Sequence, residues 1–291
     1  VKCNGTTVWK LSDSSTEPEP PSPTPAYDNT YPLMWSEEGG SITLEADEDG
    51  AFKYAIVSSP ASASGGADLS ETYLPNSWTE VAASTTTEVT LGPCEALMLN
   101  GSVGSCVNNL AGLYITDAAG CYLYGNYSYL AAHDSDGSPA GEMQVGFTGN
   151  LKDASAFVLP ATTLTYYCYS CMFLDCTEML YGPELPATAG SEACYDNMFA
   201  GCSSLIKAPD INLEEIPEYG CHAMFYECAS LVEPPTFVNQ SGVDINGCDS
   251  MFYGCTSLTR GPVIKGLDLS DNALTSCFEG CTSLIEATML A

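Results

Sequence analysis

The chain has 291 residues, 37 of them acidic and seven basic, for a formal net charge of −30 at pH 7. Phosphate contacts need clustered Lys and Arg, so this balance excludes nucleic acid as a partner and disfavours anionic membrane surfaces. No stretch is long and apolar enough for direct membrane insertion, and acidity of this degree makes a solvated, self-repelling surface.

Residues 1–11 show a short alternation around Asn4-Gly5 and read as the end of a preceding segment or anchor. Residues 12–30 begin with "SDSSTEPEPPSPTPA", which has no large apolar group and supports no packed core, so they are expected to form an extended linker.

Residues 31–150 lack helical periodicity and are rich in Thr, Ser, Val, Tyr and Gly. Strands are expected at 41–46, 51–57, 77–82, 86–91, 96–101, 112–116 and 143–150. The turns Asp49-Gly50, Gly65-Gly66, Gly92-Pro93 and Gly120 between them suit hairpins, which together give an antiparallel β-sandwich of immunoglobulin-like topology. Tyr114, Tyr122, Tyr124, Tyr127 and Tyr129 cluster around Gly125-Asn126 and are expected at the sandwich edge or where it docks on the next region.

Residues 151–291 repeat one phrase five times: an apolar-Phe pair, Cys four residues after the first member, Leu or Met three further on, and usually Pro four beyond that. Its fixed points are Phe173 and Cys176, Phe199 and Cys202, Phe225 and Cys228, Phe252 and Cys255, and Phe278 and Cys281. The copies step by 26, 26, 27 and 26 residues, a period that marks stacked units sharing one core. Met and Cys at i and i+4 suit a helical turn, and the three or four residues before each Pro suit a short strand able to pair laterally with its copies. A mixed β and α/β chain is thus expected, with the sandwich followed by a leucine-rich-repeat-like solenoid.

The runs "MFAGCSSLIKAPDI", "MFYECASLVEPP", "MFYGCTSLTRGPVI" and "CFEGCTSLIEA", with "LPATTL" and "ELPATAG" ahead of them, resemble BspA-like leucine-rich repeats. Those repeats belong to surface proteins of Bacteroidetes and other gut and oral bacteria and to some phages of such hosts. The resemblance implies a curved solenoid used for attachment. The opening ten residues are similar to segments that precede linkers in phage structural proteins. The chain stops partway through its fifth copy, which points to a portion of a longer protein.

Fifteen cysteines need an account. Cys176, Cys202, Cys228, Cys255 and Cys281 share one repeat position and read as a buried thiol column. Cys168, Cys194, Cys221 and Cys248 form a second set. With only His133 and His222 and no second Cys pair at finger spacing, zinc is disfavoured. Disulfides, with Cys94, Cys106 and Cys121 as further candidates, suit an oxidising compartment. No cofactor is expected; calcium at Asp47-Glu48-Asp49-Gly50 or Asp134-Ser135-Asp136-Gly137 is the one alternative, and neither run reaches a Glu at EF-hand spacing.

No phosphate loop, nucleophile elbow or zinc-protease motif is present, and Cys221 and His222, being adjacent, should diverge. A non-enzymatic protein is expected. Tyr169, Tyr181, Tyr195, Tyr226 and Tyr253 recur near the repeat core and are the candidate binding surface, because Tyr offers large contact area with a polar tip. The expected role is extracellular adhesion or receptor binding, on a bacterial surface or as a phage tail or head appendage, with a cell-surface protein or glycan as partner. The alternative is a structural virion or surface-layer component that uses the repeats as spacer or oligomer contact with other subunits. An accessory glycan-binding domain of a hydrolase is a third class.

Overall fold

The computed structural model describes residues 2–3, 6–7, 31–36, 38–46, 50–58, 77–93, 95–103, 113–116, 120–130, 145–238, 240–265, 268–286 and 289–290. The linker, both calcium candidates apart from Gly50, His133, Cys94 and Cys106 lie outside the described residues. The first elements are the two-residue strands β1 (Lys2–Cys3) and β2 (Thr6–Thr7), an antiparallel pair.

Ten strands follow: β3 (Leu33–Trp35), β4 (Gly40–Ala46), β5 (Gly50–Ser58), β6 (Thr79–Val81), β7 (Thr85–Leu91), β8 (Glu95–Val103), β9 (Leu113–Thr116), β10 (Tyr122–Asn126), β11 (Val145–Phe147) and β12 (Asp153–Val158). They form a six-stranded sheet in the order β12-β10-β3-β8-β5-β6 and a four-stranded sheet in the order β11-β9-β4-β7. Alternation builds the core between them: Ile42 and Leu44 of β4 and Val89 and Leu91 of β7 share it with Met34, Leu97, Leu99 and Leu123 of the larger sheet. The run Ala96-Leu97-Met98-Leu99 is buried on both faces, since Ala96 and Met98 join Leu33, Tyr124 and Ala156 on the opposite side.

An antiparallel immunoglobulin-like sandwich is not what forms. Each sheet ends in a parallel pair, β10 with β12 and β9 with β11. Parallel neighbours need a crossover of a dozen or more residues, and the connections 127–152 and 117–144 provide that length where tight hairpin turns would not.

The second expectation, a leucine-rich-repeat-like solenoid with helical turns, is also overturned. Among the described residues there is no α-helix; the only helical element is a single 3-10 turn, Tyr127–Tyr129, which lies upstream of the repeats. The regular strands of the repeat region are two residues long: β13 (Glu215–Ile216), β14 (Gly242–Val243) and β16 (Asp268–Leu269) in one parallel sheet, and β15 (Ile264–Lys265) with β17 (Met289–Leu290) in another. Elsewhere lateral pairing is reduced to single parallel bridges such as Tyr181 with Lys207 and Lys207 with Glu233.

Instead of a helix, each unit is a ribbon of consecutive tight turns. In the first, the amides of Cys168, Ser170, Met172, Leu174 and Cys176 donate three residues back, to the carbonyls of Thr165, Tyr167, Tyr169, Cys171 and Phe173. The interleaved amides of Tyr167, Tyr169, Cys171, Phe173 and Asp175 donate across to Glu192, Cys194, Asp196, Met198 and Ala200 of the next unit, at 2.8 to 3.1 Å. The forward set recurs at the next three junctions. A right-handed helix cannot hold this pattern because every fourth residue has left-handed backbone: Tyr167, Cys171 and Asp175 at φ 53°, 53° and 57°, then Ala193, Asn197 and Gly201, and so on along the stack. Each such non-glycine residue costs about 1–2 kcal/mol. Leaving five buried amides unpaired would cost about 1–3 kcal/mol each, so the inter-unit bonds outweigh the strain.

The four-residue turn period also sorts the side chains. Cys168, Tyr169, Met172, Phe173 and Cys176 face the core, and their counterparts in the next three units are buried, whereas Leu274, Phe278 and Cys281 of the fifth are only partly so. Phe147 of β11 starts a column continued by Phe173, Phe199, Phe225, Phe252 and Phe278, with ring centroids 5.4 to 5.6 Å apart and planes within 16° of parallel. The sheets and the first unit are therefore joined through one core. Leu180 donates to the Lys152 carbonyl at 2.9 Å, the Phe147 amide donates to Met172 at 2.7 Å, and Tyr127 meets Tyr169 edge-on at 5.5 Å.

A candidate binding face on the repeat units

The inward pairs of each unit alternate with pairs on the other side of the ribbon, so residues 26 or 27 apart in sequence come to lie side by side there. Tyr226 and Tyr253, each one position after a core Phe, stack with ring centroids 4.8 Å apart and planes 6° from parallel. Both are half-buried, and the backbone beneath them is fixed by the Phe225 amide on Met251 and the Glu227 amide on Tyr253, at 2.9 and 2.7 Å. Burial, then the nearby charges of Glu227 and Glu279, push the Tyr226 phenol up.

Three residues before the core Phe, Asp196, His222 and Asp249 occupy equivalent positions in successive units. The Nδ1 of His222 lies 2.7 Å from an Asp196 carboxylate oxygen. That hydrogen bond raises the imidazole above its ordinary value, with further support from the charges of Asp196 and Asp249 and opposition from burial. Asn197 Nδ2 donates to the same Asp196 oxygen at 2.7 Å, and the Ser250 hydroxyl donates to Asp249 at 2.8 Å, so the carboxylates are held in place. Tyr219 packs edge-on against His222 at 5.6 Å. At one end Tyr166, an exposed residue, and Tyr167 meet at 4.4 Å; burial pushes the Tyr167 phenol up to about 12, helped by Tyr166, Asp196 and Glu192.

The structure thus brings together two of the five tyrosines singled out in the sequence, Tyr226 and Tyr253. Tyr181 is half-buried in the bridge column between Asp153 and Lys207, away from the pair. Tyr169 and Tyr195 are corrected from surface to core: each is 1 % exposed, and their rings stack at 6.2 Å. Two inward positions of the ribbon claim them, and the Tyr169 hydroxyl finds no hydrogen-bond partner among the described residues. The Asp196–His222–Asp249 row escaped residue-by-residue reading of the chain. Aligning the copies on Phe199, Phe225 and Phe252 would have exposed it, because each member stands three residues before its Phe.

Of the core positions expected from the repeat, Phe173, Phe199, Phe225 and Phe252, with Cys176, Cys202, Cys228 and Cys255, are fully buried, while Phe278 and Cys281 are partly so. The described cysteines from Cys121 onward are free thiols. Burial raises the thiols of Cys168, Cys176, Cys194, Cys202, Cys228 and Cys255 above their ordinary value, Cys194 and Cys255 to about 12, so thiolate is scarce at these six positions. Cys221 is buried and adjoins Cys248, whereas its neighbour His222 points to Asp196, so the two do not form a nucleophile and base. Of the upstream tyrosine cluster, β10 carries Tyr122 and Tyr124 between β12 and β3, inside the sheet and not at its edge.

Among the described residues no group of three or more His, Cys, Asp or Glu is placed to hold a metal ion, and no helix is long and apolar enough to cross a membrane. The face can offer aromatic planes, hydroxyls and carboxylate acceptors to a ligand. No family model, no curated protein and no solved structure matches the chain.

Proposed function

We propose that this chain is a non-catalytic extracellular adhesion or receptor-binding protein, displayed on a bacterial surface or as a phage appendage, whose partner is a cell-surface protein or glycan. The observation that carries the reading is the parallel Tyr226–Tyr253 pair, half-exposed on a backbone that the inter-unit bonds hold fixed. Rigid aromatic planes bind at low entropic cost, because few rotamers are frozen on contact. The carboxylates of Glu227, Asp196 and Asp249 add acceptors for the hydroxyls of a sugar or the donors of a protein partner.

The test is binding of the full chain to intact gut bacteria, mucosal cells and a glycan array, beside a Tyr226→Ala, Tyr253→Ala double variant. Saturable binding that weakens by roughly tenfold, or about 1.4 kcal/mol, in a variant of unchanged melting temperature supports the proposal. Absence of binding to every surface, with the chain assembling on itself instead, favours the structural-component alternative.

A further inference from the structure

Four residues before the core Phe, the buried column changes identity along the stack. Tyr169 and Tyr195 fill it in the first two units, Cys221 and Cys248 in the third and fourth. The amides of Cys221 and Ala223 donate to the carbonyls of Gly247 and Asp249 at 2.8 and 2.9 Å, which sets Cys221 directly opposite Cys248 in the parallel register. Backbones paired in this way lie about 4.7–4.9 Å apart, inside the range of about 4.4–6.8 Å between Cα atoms that a disulfide spans. Both cysteines are 0 % exposed.

The direction of the sulfur separates this pair from the other stacked thiols. Cys176, Cys202, Cys228, Cys255 and Cys281 donate to Phe carbonyls at 3.0 to 3.4 Å. Cys168 and Cys194 turn to the carbonyls of Cys194 and Gly220, at 4.0 and 3.9 Å. The thiols of Cys221 and Cys248 are instead hydrogen-bonded to each other. Sulfur already meets sulfur here, whereas at the other positions it is engaged with backbone oxygen.

We infer that Cys221 and Cys248 are a disulfide-forming pair, closed as the third and fourth units assemble in an oxidising compartment. The compartment rests on the extracellular reading above; the chemistry of the pair does not. The oxidant is a low-molecular-weight disulfide of the glutathione class. The thiolate of one cysteine attacks it and releases one glutathione; the thiolate of the other then attacks the protein sulfur of the mixed disulfide and releases the second. Two protein thiols are oxidised, one glutathione disulfide is reduced, and the two thiol protons pass to the released glutathiones. In the closed stack the bond to Cys248, then burial, holds the Cys221 thiol well above its ordinary value, so the exchange belongs to units that are still open. Once formed, the buried bond is withheld from reductant. Cys221 and Cys248 precede Tyr226 and Tyr253 by five residues each, so the link ties together the two units that carry the stacked tyrosines.

The test is to unfold the full chain in reductant, refold it in a mixture of oxidised and reduced glutathione, alkylate the remaining thiols and map the peptides unreduced by mass spectrometry. Where refolding yields are low, chain exported to a bacterial periplasm is mapped in the same way. The expected result is a Cys221–Cys248 link in most molecules, with Cys176, Cys202, Cys228 and Cys255 alkylated. The linked chain should melt roughly 5 °C or more above the same chain refolded in reductant, and Cys221→Ser or Cys248→Ser should each abolish that difference. The inference is overturned if both cysteines are alkylated in the refolded chain, or if links at Cys202–Cys228 or Cys248–Cys277 form in equal yield. Binding to cells or glycans is read separately through the tyrosine double variant, so loss of either reading leaves the other standing.

Discussion

The thiol of Cys202 donates to the carbonyl oxygen of Phe173 across 3.1 Å, although the two residues stand 29 apart in the chain. The contact repeats as Cys176 on Phe147, Cys228 on Phe199, Cys255 on Phe225 and Cys281 on Phe252, at 3.0 to 3.4 Å. The cysteine column is thus more than a set of small apolar fillers: it supplies the carbonyls of Phe173, Phe199, Phe225 and Phe252 with a second donor, the first being the amide of the Cys three residues on.

Cys228→Ala should lower stability by about 1–2 kcal/mol, from a small void together with a lost hydrogen bond. Cys228→Ser keeps a donor facing the Phe199 carbonyl and should cost less than Ala. Urea unfolding of the two variants decides the matter, and Ser falling below Ala would mean that packing alone selects cysteine. Thiol labelling of the native protein, mapped by mass spectrometry, should modify the half-buried Cys171 and Cys281 before the buried Cys202 and Cys228.

The unit length, the core Phe and Cys positions and most of the long strands could be read from the chain, because burial imposes periodicity that residue types reveal. The ribbon could not. Apolar residues at Cys168, Tyr169, Met172, Phe173 and Cys176 fit one face of a 3.6-residue helix as well as they fit a turn repeating every four residues. The deciding signal is left-handed backbone at Tyr167, Cys171, Ala193 or Ala223, residue types that seldom adopt it. Only the glycines and asparagines of later units, such as Asn197, Gly201, Asn246 and Gly254, hint at the position. Strands β3, β10 and β12 carry no legible strand signal for a related reason. "LMW" is too short to alternate, and in "YLYGN" and "DASAFV" both faces are largely buried, so no polar stripe marks them.

Gly182 shows how tightly the Phe column is enclosed. A Cβ added there would lie 2.7 Å from Cε1 of Phe199, a ring held between Phe173 and Phe225 at 5.4 and 5.6 Å and unable to move aside. Gly182→Ala should therefore destabilise by about 1–3 kcal/mol, as overpacking does. Pairing it with Phe199→Leu should recover part of the loss, because the smaller side chain relieves the clash. Thermal melts of the single and double variants give the coupling, and strict additivity would show that the two residues do not meet.

The Asp196–His222 pair makes stability depend on pH in one direction. The folded imidazole is held above its ordinary value of 6.5, chiefly by the hydrogen bond to Asp196, so the fold favours the protonated ring. This contribution is fully present below 6.5 and is lost as pH rises through the folded value. Melting temperature of the parent should accordingly fall relative to a His222→Gln variant across that window. Asp196→Asn should remove the difference, since it takes away the first cause of the shift. Parallel melting curves for parent and His222→Gln at every pH would rule the pair out as a contributor.

Asp153 carries the opposite chemistry at the junction of sheet and repeats. It is 4 % exposed, pairs in β12 with Tyr122 and bridges to Tyr181, and burial raises its carboxyl from the ordinary 3.8 in spite of hydrogen bonds from Ser155. A raised carboxyl means that the fold favours the neutral acid. Its stability is then greatest below the ordinary value and declines as pH rises through the folded one, leaving a penalty at neutral pH. Asp153→Asn keeps an oxygen to accept the Ser155 amide, now at 2.7 Å, and carries no charge into the junction. The variant should be more stable than the parent at neutral pH, with the advantage shrinking as the solution is acidified through the carboxylate range. Chemical unfolding at several pH values checks it; an Asn variant that is less stable by the same margin at every pH would show that the ionised carboxylate is compensated where it stands.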